Sequence, residues 1–315
     1  MARYFVTGGC GFVGSNLVDR LIAQGAEVTI YDNLRTGRRQ WVEGALATGR
    51  ARLVEGDILD AERLKAAVGG HDLVFHLAAN ADVRRGLEHP RRDIEQNLLG
   101  THNVLEAMRE TGVKRIAFTS TGSVYGEAKV FPTPEDCPFP IQTSLYATSK
   151  IAAEGLVSAY CEGFGFTGWI FRFVSVLGER YSHGHVIDFT RRLGQDPTQI
   201  HVLGDGQQRK SYMDISDCLD GVLTAVQHPT EGVAIYNVGT DETLTVDESL
   251  DEIVRALGVN PRRTYEGGAR GWVGDAPVIL LDCSRLRALG WRPHMPLREA
   301  VARTVRFLLE MMNAE

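Results

Sequence analysis

The stretch Thr7-Gly8-Gly9-Cys10-Gly11-Phe12-Val13-Gly14 constrains this chain more than any other. It follows a short apolar run, Tyr4-Phe5-Val6, and leads into a segment with Phe12, Leu17, Val18 and Leu21 on or near one helical face. A strand, a glycine turn and a helix in that order make a dinucleotide-binding turn. Gly8 lets the chain turn, Gly11 lets a pyrophosphate approach the backbone, and Gly14 lets the helix pack tightly on the strand. The N–H groups of the helix start, at Phe12 and Val13, then meet the phosphate charge. The spacing is Gly-x-x-Gly-x-x-Gly rather than Gly-x-Gly-x-x-Gly, and glycine turns also serve structural roles, so the reading depends on the rest of the chain.

A second strand, Ala26–Tyr31, ends at Asp32, 24 positions after Gly8. A carboxylate there accepts hydrogen bonds from an adenosine ribose and repels a 2′-phosphate, which favours NAD over NADP. Arg35, Arg38 and Arg39 lie just beyond and work against that preference. A third strand ends at Asp57, where Asp57 and Ile58 are placed to hold the adenine amino group and one ring face. Asp57 could equally cap the helix from Ala61, although Asp60 is better placed to do so. Asp72–Leu77 is nearly continuously apolar, as a buried parallel strand should be. Leu77, Ala78 and Ala79 at its end let a nicotinamide ring and a sugar lie close to the backbone.

Residues 91–111 carry Ile94, Leu98, Thr101, Leu105 and Met108 at helical spacing, a stripe expected to be core. Asn97 is the polar exception; it either satisfies buried backbone or holds the active site in shape. The fifth strand, Lys114–Thr119, runs into Ser120-Thr121-Gly122-Ser123-Val124-Tyr125-Gly126, hydroxyls where ligands sit in such a sheet. Pro132, Pro134, Pro138 and Pro140 mark a loop. A helix then opens with Tyr146 and Lys150, four apart and on one face. A Tyr-x-x-x-Lys alone is common by chance. After a glycine turn and a hydroxyl-rich strand end, it points to an acid–base pair.

The fold expected is α/β, a Rossmann-type doubly wound parallel sheet with a smaller C-terminal substrate-binding lobe. Residues 1–174 would form the NAD-binding domain, with 212–239 returning to it; 175–211 and 240–315 would form the lobe. In the lobe, strands are short and Leu297, Val301, Val305, Leu308 and Met312 make a final amphipathic helix. There is no internal repeat.

The 315 residues, 43% of them hydrophobic, are enough for one large or two modest domains. The net charge of −6, with no block of like charges, argues against nucleic-acid or membrane-surface partners. Five scattered cysteines (Cys10, Cys137, Cys161, Cys218, Cys283) without metal-ligand spacing suggest free thiols in a reducing compartment. A first strand from residue 3 leaves no room for a signal peptide, and no run is apolar enough to span a bilayer. A cytoplasmic protein is expected. His183-Gly184-His185 has no third ligand nearby in sequence, so no metal is expected.

The combined pattern resembles the extended short-chain dehydrogenase/reductase family in its nucleotide-sugar branch, from about Arg3 to Pro293. It rests on Thr7–Gly14, Asp57, His76–Ala79, Asn97, Ser120–Gly126, Tyr146/Lys150, Gly204-Asp205-Gly206 with Arg209, and Arg270 with Asp275. The likeness is to bacterial and archaeal UDP-sugar 4-epimerases. It implies a permanently held NAD, a UDP-hexose substrate, and a homodimer formed through the helices at about 91–111 and 146–164. It adds Asn33 and Thr119 to the cofactor residues. Tyr146 would take the 4-hydroxyl proton while C4 passes a hydride to the cofactor. The 4-keto sugar would turn about its phosphate linkage, and the hydride would return to the other face. A tyrosine with an ordinary pKa near 10 needs roughly 4 kcal/mol of anion stabilisation to reach 7; Lys150 and the nicotinamide cation would supply it. Thr121 would share the hydrogen bond to the reacting oxygen.

Relatives that are 4,6-dehydratases carry Asp-Glu after this threonine, and decarboxylases carry a glutamate at position 123. Here these positions are Gly122 and Ser123, which leaves oxidation and re-reduction with no extra acid or base. Arg180 keeps UDP-glucuronate decarboxylation open, because decarboxylases and some epimerases share it; another nucleotide-sugar oxidoreductase of the family would use the same cofactor and base, with net cofactor turnover. A dinucleotide sensor without catalysis would need neither Tyr146 nor Lys150. The resemblance places Arg209 and Arg270 on the diphosphate, Ile200–Gly204 (with His201 and Val202) around uracil, and Asp275 on the ribose or on Arg270. Val83, Gly122, Ser123, His185 and Val186 complete the expected substrate set. Ser175 stands where relatives have asparagine. Arg84, Arg85, Arg191 and Arg192 either lie near the pocket, where an arginine reaching C6 would favour a uronic acid, or are solvated.

Overall fold

The computed structural model describes residues 1–81, 86, 88–142, 144–272 and 274–314. Strands and helices alternate through the first half: β1 (Arg3–Thr7), α1 (Phe12–Ala23), β2 (Glu27–Asp32), β3 (Ala51–Glu55), α2 (Ala61–Val68), β4 (Leu73–His76), α3 (Gly100–Thr111), β5 (Arg115–Thr121), α4 (Leu145–Phe164) and β6 (Thr167–Phe173). The second half adds β7 (Ser175–Leu177), α5 (His185–Gln195), β8 (Gln199–Val202), β9 (Arg209–Lys210), β10 (Tyr212–Asp214), α6 (Ile215–Gln227), β11 (Val233–Val238), β12 (Leu244–Thr245), α7 (Val246–Leu257), β13 (Arg262–Tyr265), β14 (Val278–Ile279) and α8 (Leu297–Ala314).

One sheet has the strand order β11-β6-β5-β4-β1-β2-β3, and the pairs β3–β2, β2–β1, β1–β4 and β4–β5 run parallel. This is the expected doubly wound α/β fold. The strand order reverses between β1 and β4, so the glycine turn and Leu77–Ala79 flank the switch point where such sheets bind ligands. Strands covered on both faces read as apolar runs. Leu73, Val74, Phe75 and His76 are accordingly all buried. Phe5, Tyr31, Val74, Phe118 and Ile170 from the sheet meet Leu64, Val68, Leu105, Met108 and Val157 from the helices in one core.

The helix expected over 91–111 is interrupted. Ile94–Leu99 forms a π-helix ahead of α3. The wider turn rotates the faces that precede it. Asp93, Gln96 and Asn97 are therefore buried, while Ile94 and Leu99 are each 48% exposed. Ile94 leaves the core stripe to which its spacing assigned it; Thr101, Leu105 and Met108 keep their places.

The chain divides into two compact units. The first holds Met1–Val124, Leu145–Arg172 and Ala225–Tyr236; the second holds Tyr125–Ser144, Phe173–Thr224 and Asn237–Glu315. This differs from the expected partition at three places, the smallest being Phe173 and Val174, which fall in the second unit. The proline-rich loop belongs to the second unit, and only Ala225–Tyr236 of the 212–239 segment belongs to the first. Asn237 explains the loop's allegiance. Its Nδ2 donates to the Thr133 and Asp282 carbonyls, its Oδ1 accepts from the Tyr125 hydroxyl, and its N–H donates to Glu135.

The second unit is built from small sheets, β7–β10, β9 between β12 and β14, and β8–β13. Thr245 and Glu248 form a reciprocal capping box at the start of α7. On α8, Leu297, Val301, Val305 and Leu308 are buried at helical spacing. Among the described residues, no helix is long and apolar enough to cross a membrane.

Candidate active site

The expected site residues fall into two groups, one on each unit. In the first unit, Gly8 has φ +68°, and a Cβ there would lie 2.7 Å from Ala78 N. A Cβ on Gly14 would run into the Gly8 carbonyl, so Gly14 packs α1 against the turn itself rather than against the strand. Gly11 differs from both. Its Cβ would meet only Gly8 O, at 3.2 Å, and as N-cap of α1 it offers no side-chain cap. Space beside an uncapped helix start fits a phosphate.

Asp32 closes the turn. Its carboxylate accepts the N–H groups of Cys10 (2.9 Å) and Leu34 (2.8 Å), which leaves lone pairs for a ribose. Burial raises its pKa, and those two N–H groups oppose the rise. Asn33 Nδ2 donates to Asp57 (2.7 Å), linking the ends of β2 and β3. Asp57 also accepts from Leu59 N–H, and Asp60 caps α2. Ile58 is only 4% exposed and packs against Gly100, so its side chain serves the core rather than an open ring face. Leu77, Ala78 and Ala79 are half-buried at the end of β4, and the Thr119 hydroxyl donates to the His76 carbonyl.

A buried hydrogen-bond chain ties this turn to the tyrosine helix. Thr101 Oγ1 donates to the Asn97 carbonyl (2.6 Å), so the 3.0 Å contact with His76 Nε2 is a donation from the ring. Thr7 Oγ1 then donates to His76 Nδ1 (2.7 Å) while accepting the N–H groups of Leu77 and Ala78. Burial and the charge of Lys150 lower the His76 pKa to about 3, so the ring is neutral. Asn97 satisfies Asn80 N–H through Oδ1 (2.7 Å), and its Nδ2 donates to Ser149 Oγ (3.0 Å). Ser149 donates to the Tyr146 carbonyl (2.7 Å). Asn97 thus satisfies buried backbone and braces α4 at once.

Thr121, Tyr146 and Lys150 come together as the sequence expected. Tyr146 and Thr121 lie within hydrogen-bonding reach of each other, and that contact lowers the Tyr146 pKa. Burial and Asp93 outweigh it and push Tyr146 up to about 12, a protonated phenol rather than one near neutrality. Lys150 is buried, with Nζ 4.5 Å from the Phe118 ring centroid. Burial lowers its pKa to about 8 and Glu154 opposes the fall. Gly122 is buried, and Ser123 N–H donates to Thr121 Oγ1 (3.1 Å), orienting that hydroxyl. Sequence reasoning missed Glu154, whose signal was its place four residues after Lys150. It also missed Arg172, which holds Glu154 from β6; Ser120, singled out with the hydroxyl run, holds Glu154 from β5.

In the second unit, several expected contacts rearrange. Asp275 pairs with Lys210 and accepts Gly271 N–H (3.1 Å), while Arg270 pairs with Glu127. Asp275 therefore orients the Gly271 backbone rather than Arg270. Lys210, which also lies 4.6 Å from the Trp272 ring centroid, went unnoticed in the sequence. Arg209 lies 3.7 Å from Glu248 and donates to Thr243. Arg192 is exposed, as one of its two readings had it, and its Nη1 donates to the His201 carbonyl (2.9 Å), linking α5 to β8. His201 Nδ1 contacts Thr264 Oγ1, and His185 Nε2 contacts Ser249 Oγ. Val186 and Val202 are fully buried, so their side chains belong to the core and only their backbones could meet a ligand. Ser175 is exposed at the start of β7. Val83, Arg84 and Arg85 lie outside the described residues.

Residues 4–239 match the NAD dependent epimerase/dehydratase family. A UDP-glucose 4-epimerase of Mycolicibacterium smegmatis is 34% identical over 97% of this chain and 98% of its own length. A UDP-N-acetyl-alpha-D-glucosaminuronate decarboxylase of Bacillus cytotoxicus is 31% identical over 99% of both chains. The crystal structure of a UDP-galactose 4-epimerase superposes with a TM-score of 0.88 at 36% identity, covering 98% of this chain and 99% of that one. With the glycine turn at the switch point and Thr121, Tyr146 and Lys150 brought together, the chain belongs to the NAD dependent epimerase/dehydratase family.

Proposed function

We propose that this protein is an NAD-dependent 4-epimerase of a UDP-hexose or UDP-hexuronate. The observation that carries the reading is the Thr121–Tyr146 hydrogen bond with Lys150 one turn on, followed by Gly122-Ser123 instead of carboxylates. Epimerisation takes one proton from the 4-hydroxyl and returns it to the same oxygen, and a single tyrosine can do both. Elimination of water needs a further acid and base, for which positions 122 and 123 offer no group. Bound NAD supplies the hydride acceptor and a positively charged ring.

Each side chain has a task in that scheme. Thr121 Oγ1–H donates to the reacting oxygen, held in orientation by Ser123 N–H. Lys150 places a positive charge one turn from Tyr146 and favours the phenolate. The Gly8–Val13 turn and Asp32 bind the dinucleotide at its phosphates and ribose. Asn97 keeps α4 in register with the turn. Arg209 and Arg270 are the guanidinium groups for the diphosphate, exchanging Glu248 and Glu127 for it. The expected assembly is a homodimer through the π-helix, α3 and α4, where Ile94, Leu99 and Phe164 are exposed.

The test is to incubate the purified protein separately with UDP-glucose, UDP-galactose, UDP-glucuronate and UDP-galacturonate, with and without NAD, and identify products by NMR. Interconversion of one C4 pair is expected. The second reading, decarboxylation of a UDP-uronate, has support in the Bacillus cytotoxicus relative and in Arg180; a pentose and CO₂ would establish it instead. No product in any tube would remove both.

A further inference from the structure

Behind the Tyr146–Lys150 pair lies a buried charge cluster that the epimerase scheme does not use. Glu154 sits one turn after Lys150 on α4, and the two are 4% and 2% exposed. Arg172, 3% exposed on β6, donates to the Glu154 carboxylate through Nε (3.1 and 3.2 Å) and Nη2 (2.7 Å). Ser120 Oγ donates to Glu154 Oε1 at 2.5 Å. Such a cluster is costly to bury and invites a reason for its place.

We propose that Glu154, clamped by Arg172 and Ser120, is a positioning residue that keeps Lys150 charged beside Tyr146. The proposal rests on reading Tyr146 and Lys150 as the acid–base pair. Arg172, Glu154 and Lys150 together carry one net positive charge. Without the carboxylate, two buried cations would share the space, and Lys150, on the weaker base, would give up its proton. Without the guanidinium, Glu154 would turn to Lys150 and cancel its charge at Tyr146. The carboxylate therefore has to be present and already engaged. Burial alone draws Lys150 toward neutrality, and Glu154 opposes it. The other groups facing Lys150 do not replace it: His76 on β4 is neutral, and Asp93 acts on Tyr146. Ser120 immediately precedes Thr121, so the same carboxylate also anchors the strand end that carries the partner of Tyr146.

The experiment labels lysine with ¹³C at Cε and identifies the Lys150 resonance by its loss in Lys150→Arg. The signal is titrated in wild type, Glu154→Gln, Arg172→Gln and the double variant, without substrate. The midpoint is expected to fall by about one pH unit or more in Glu154→Gln, to rise in Arg172→Gln, and to fall less in the double variant than in Glu154→Gln. The basic limb of each variant's kcat profile should move in the same direction. A purely packing role would change stability and leave the midpoints alone; equal midpoints in all four proteins overturn the proposal. If Glu154→Gln does not fold, Arg172→Gln against wild type decides by the same criterion. Because the titration needs no turnover, its failure is distinct from failure of the epimerase reading, which shows as an inactive wild type.

Discussion

In the proposed reaction Tyr146 has to lose a proton that its surroundings hold on to. Burial and Asp93 set its pKa at about 12, with the Thr121 hydroxyl opposing. Bringing it to 7 takes about 7 kcal/mol of anion stabilisation, more than one neutral hydrogen bond provides. Lys150 and the positive ring of the cofactor have to supply the rest. Tyr146→Phe removes the proton acceptor and keeps the ring. Turnover should fall about 10²- to 10⁴-fold while the thermal midpoint stays near wild type; near-normal turnover would take the acid–base role from this residue. His76 makes a separate prediction from the opposite charge state. Its folded pKa of about 3 lies below its ordinary 6.5. The unfolded chain therefore binds the extra proton first as pH falls. Stability is present above 6.5 and lost on the way down toward 3. Between pH 7 and pH 5 the loss from this one ring is about 2 kcal/mol. Urea unfolding at both values should show that much steeper a decline in wild type than in His76→Gln; parallel declines would mean that the ring can take a proton in place.

The glycine turn is an element in which neighbouring glycines do different work. A Cβ at 14 would overlap the Gly8 carbonyl and Gly9 Cα, whereas one at 11 would lie 3.2 Å from Gly8 O, a contact a small shift relieves. Gly14→Ala should destabilise the fold by about 1–3 kcal/mol or more. Gly11→Ala should fold, with a thermal midpoint close to wild type, and lose NAD affinity at least tenfold by calorimetry, an order-of-magnitude figure for one lost phosphate contact. Equal NAD affinity in Gly11→Ala would mean that the phosphates lie elsewhere. These elements were legible in the sequence because their causes are local. Buried parallel strands leave unbroken apolar runs, the turn leaves its glycines, and Tyr146 and Lys150 are one helical turn apart. The π-helix at Ile94–Leu99 was not legible, since a wider turn has no residue signature and rephases the face before it. The arginine partners were not legible either. Glu127 and Arg270 are 143 positions apart, and only the folded chain brings them together.

On the scale of the whole molecule, a ligand that binds only the folded state raises stability by an amount set by its concentration. At 100 times the dissociation constant this is about 2.7 kcal/mol. NAD should raise the unfolding midpoint accordingly, and NADP should not at the same concentration, because Asp32 repels a 2′-phosphate. Equal shifts with both would remove Asp32 as the discriminator. Light scattering after size exclusion should give twice the 34.7 kDa chain mass if the apolar side chains exposed at Ile94, Leu99 and Phe164 are covered by a second copy. The measurement that bears most directly on epimerisation tracks the hydrogen at C4. The UDP-sugar that is turned over is prepared with deuterium at C4 and incubated in ordinary water, and the C4 epimer is analysed by NMR. Epimerisation at this site predicts that the product keeps its deuterium at C4. Loss of the label to solvent, or no C4 epimer from any UDP-sugar, would contradict it.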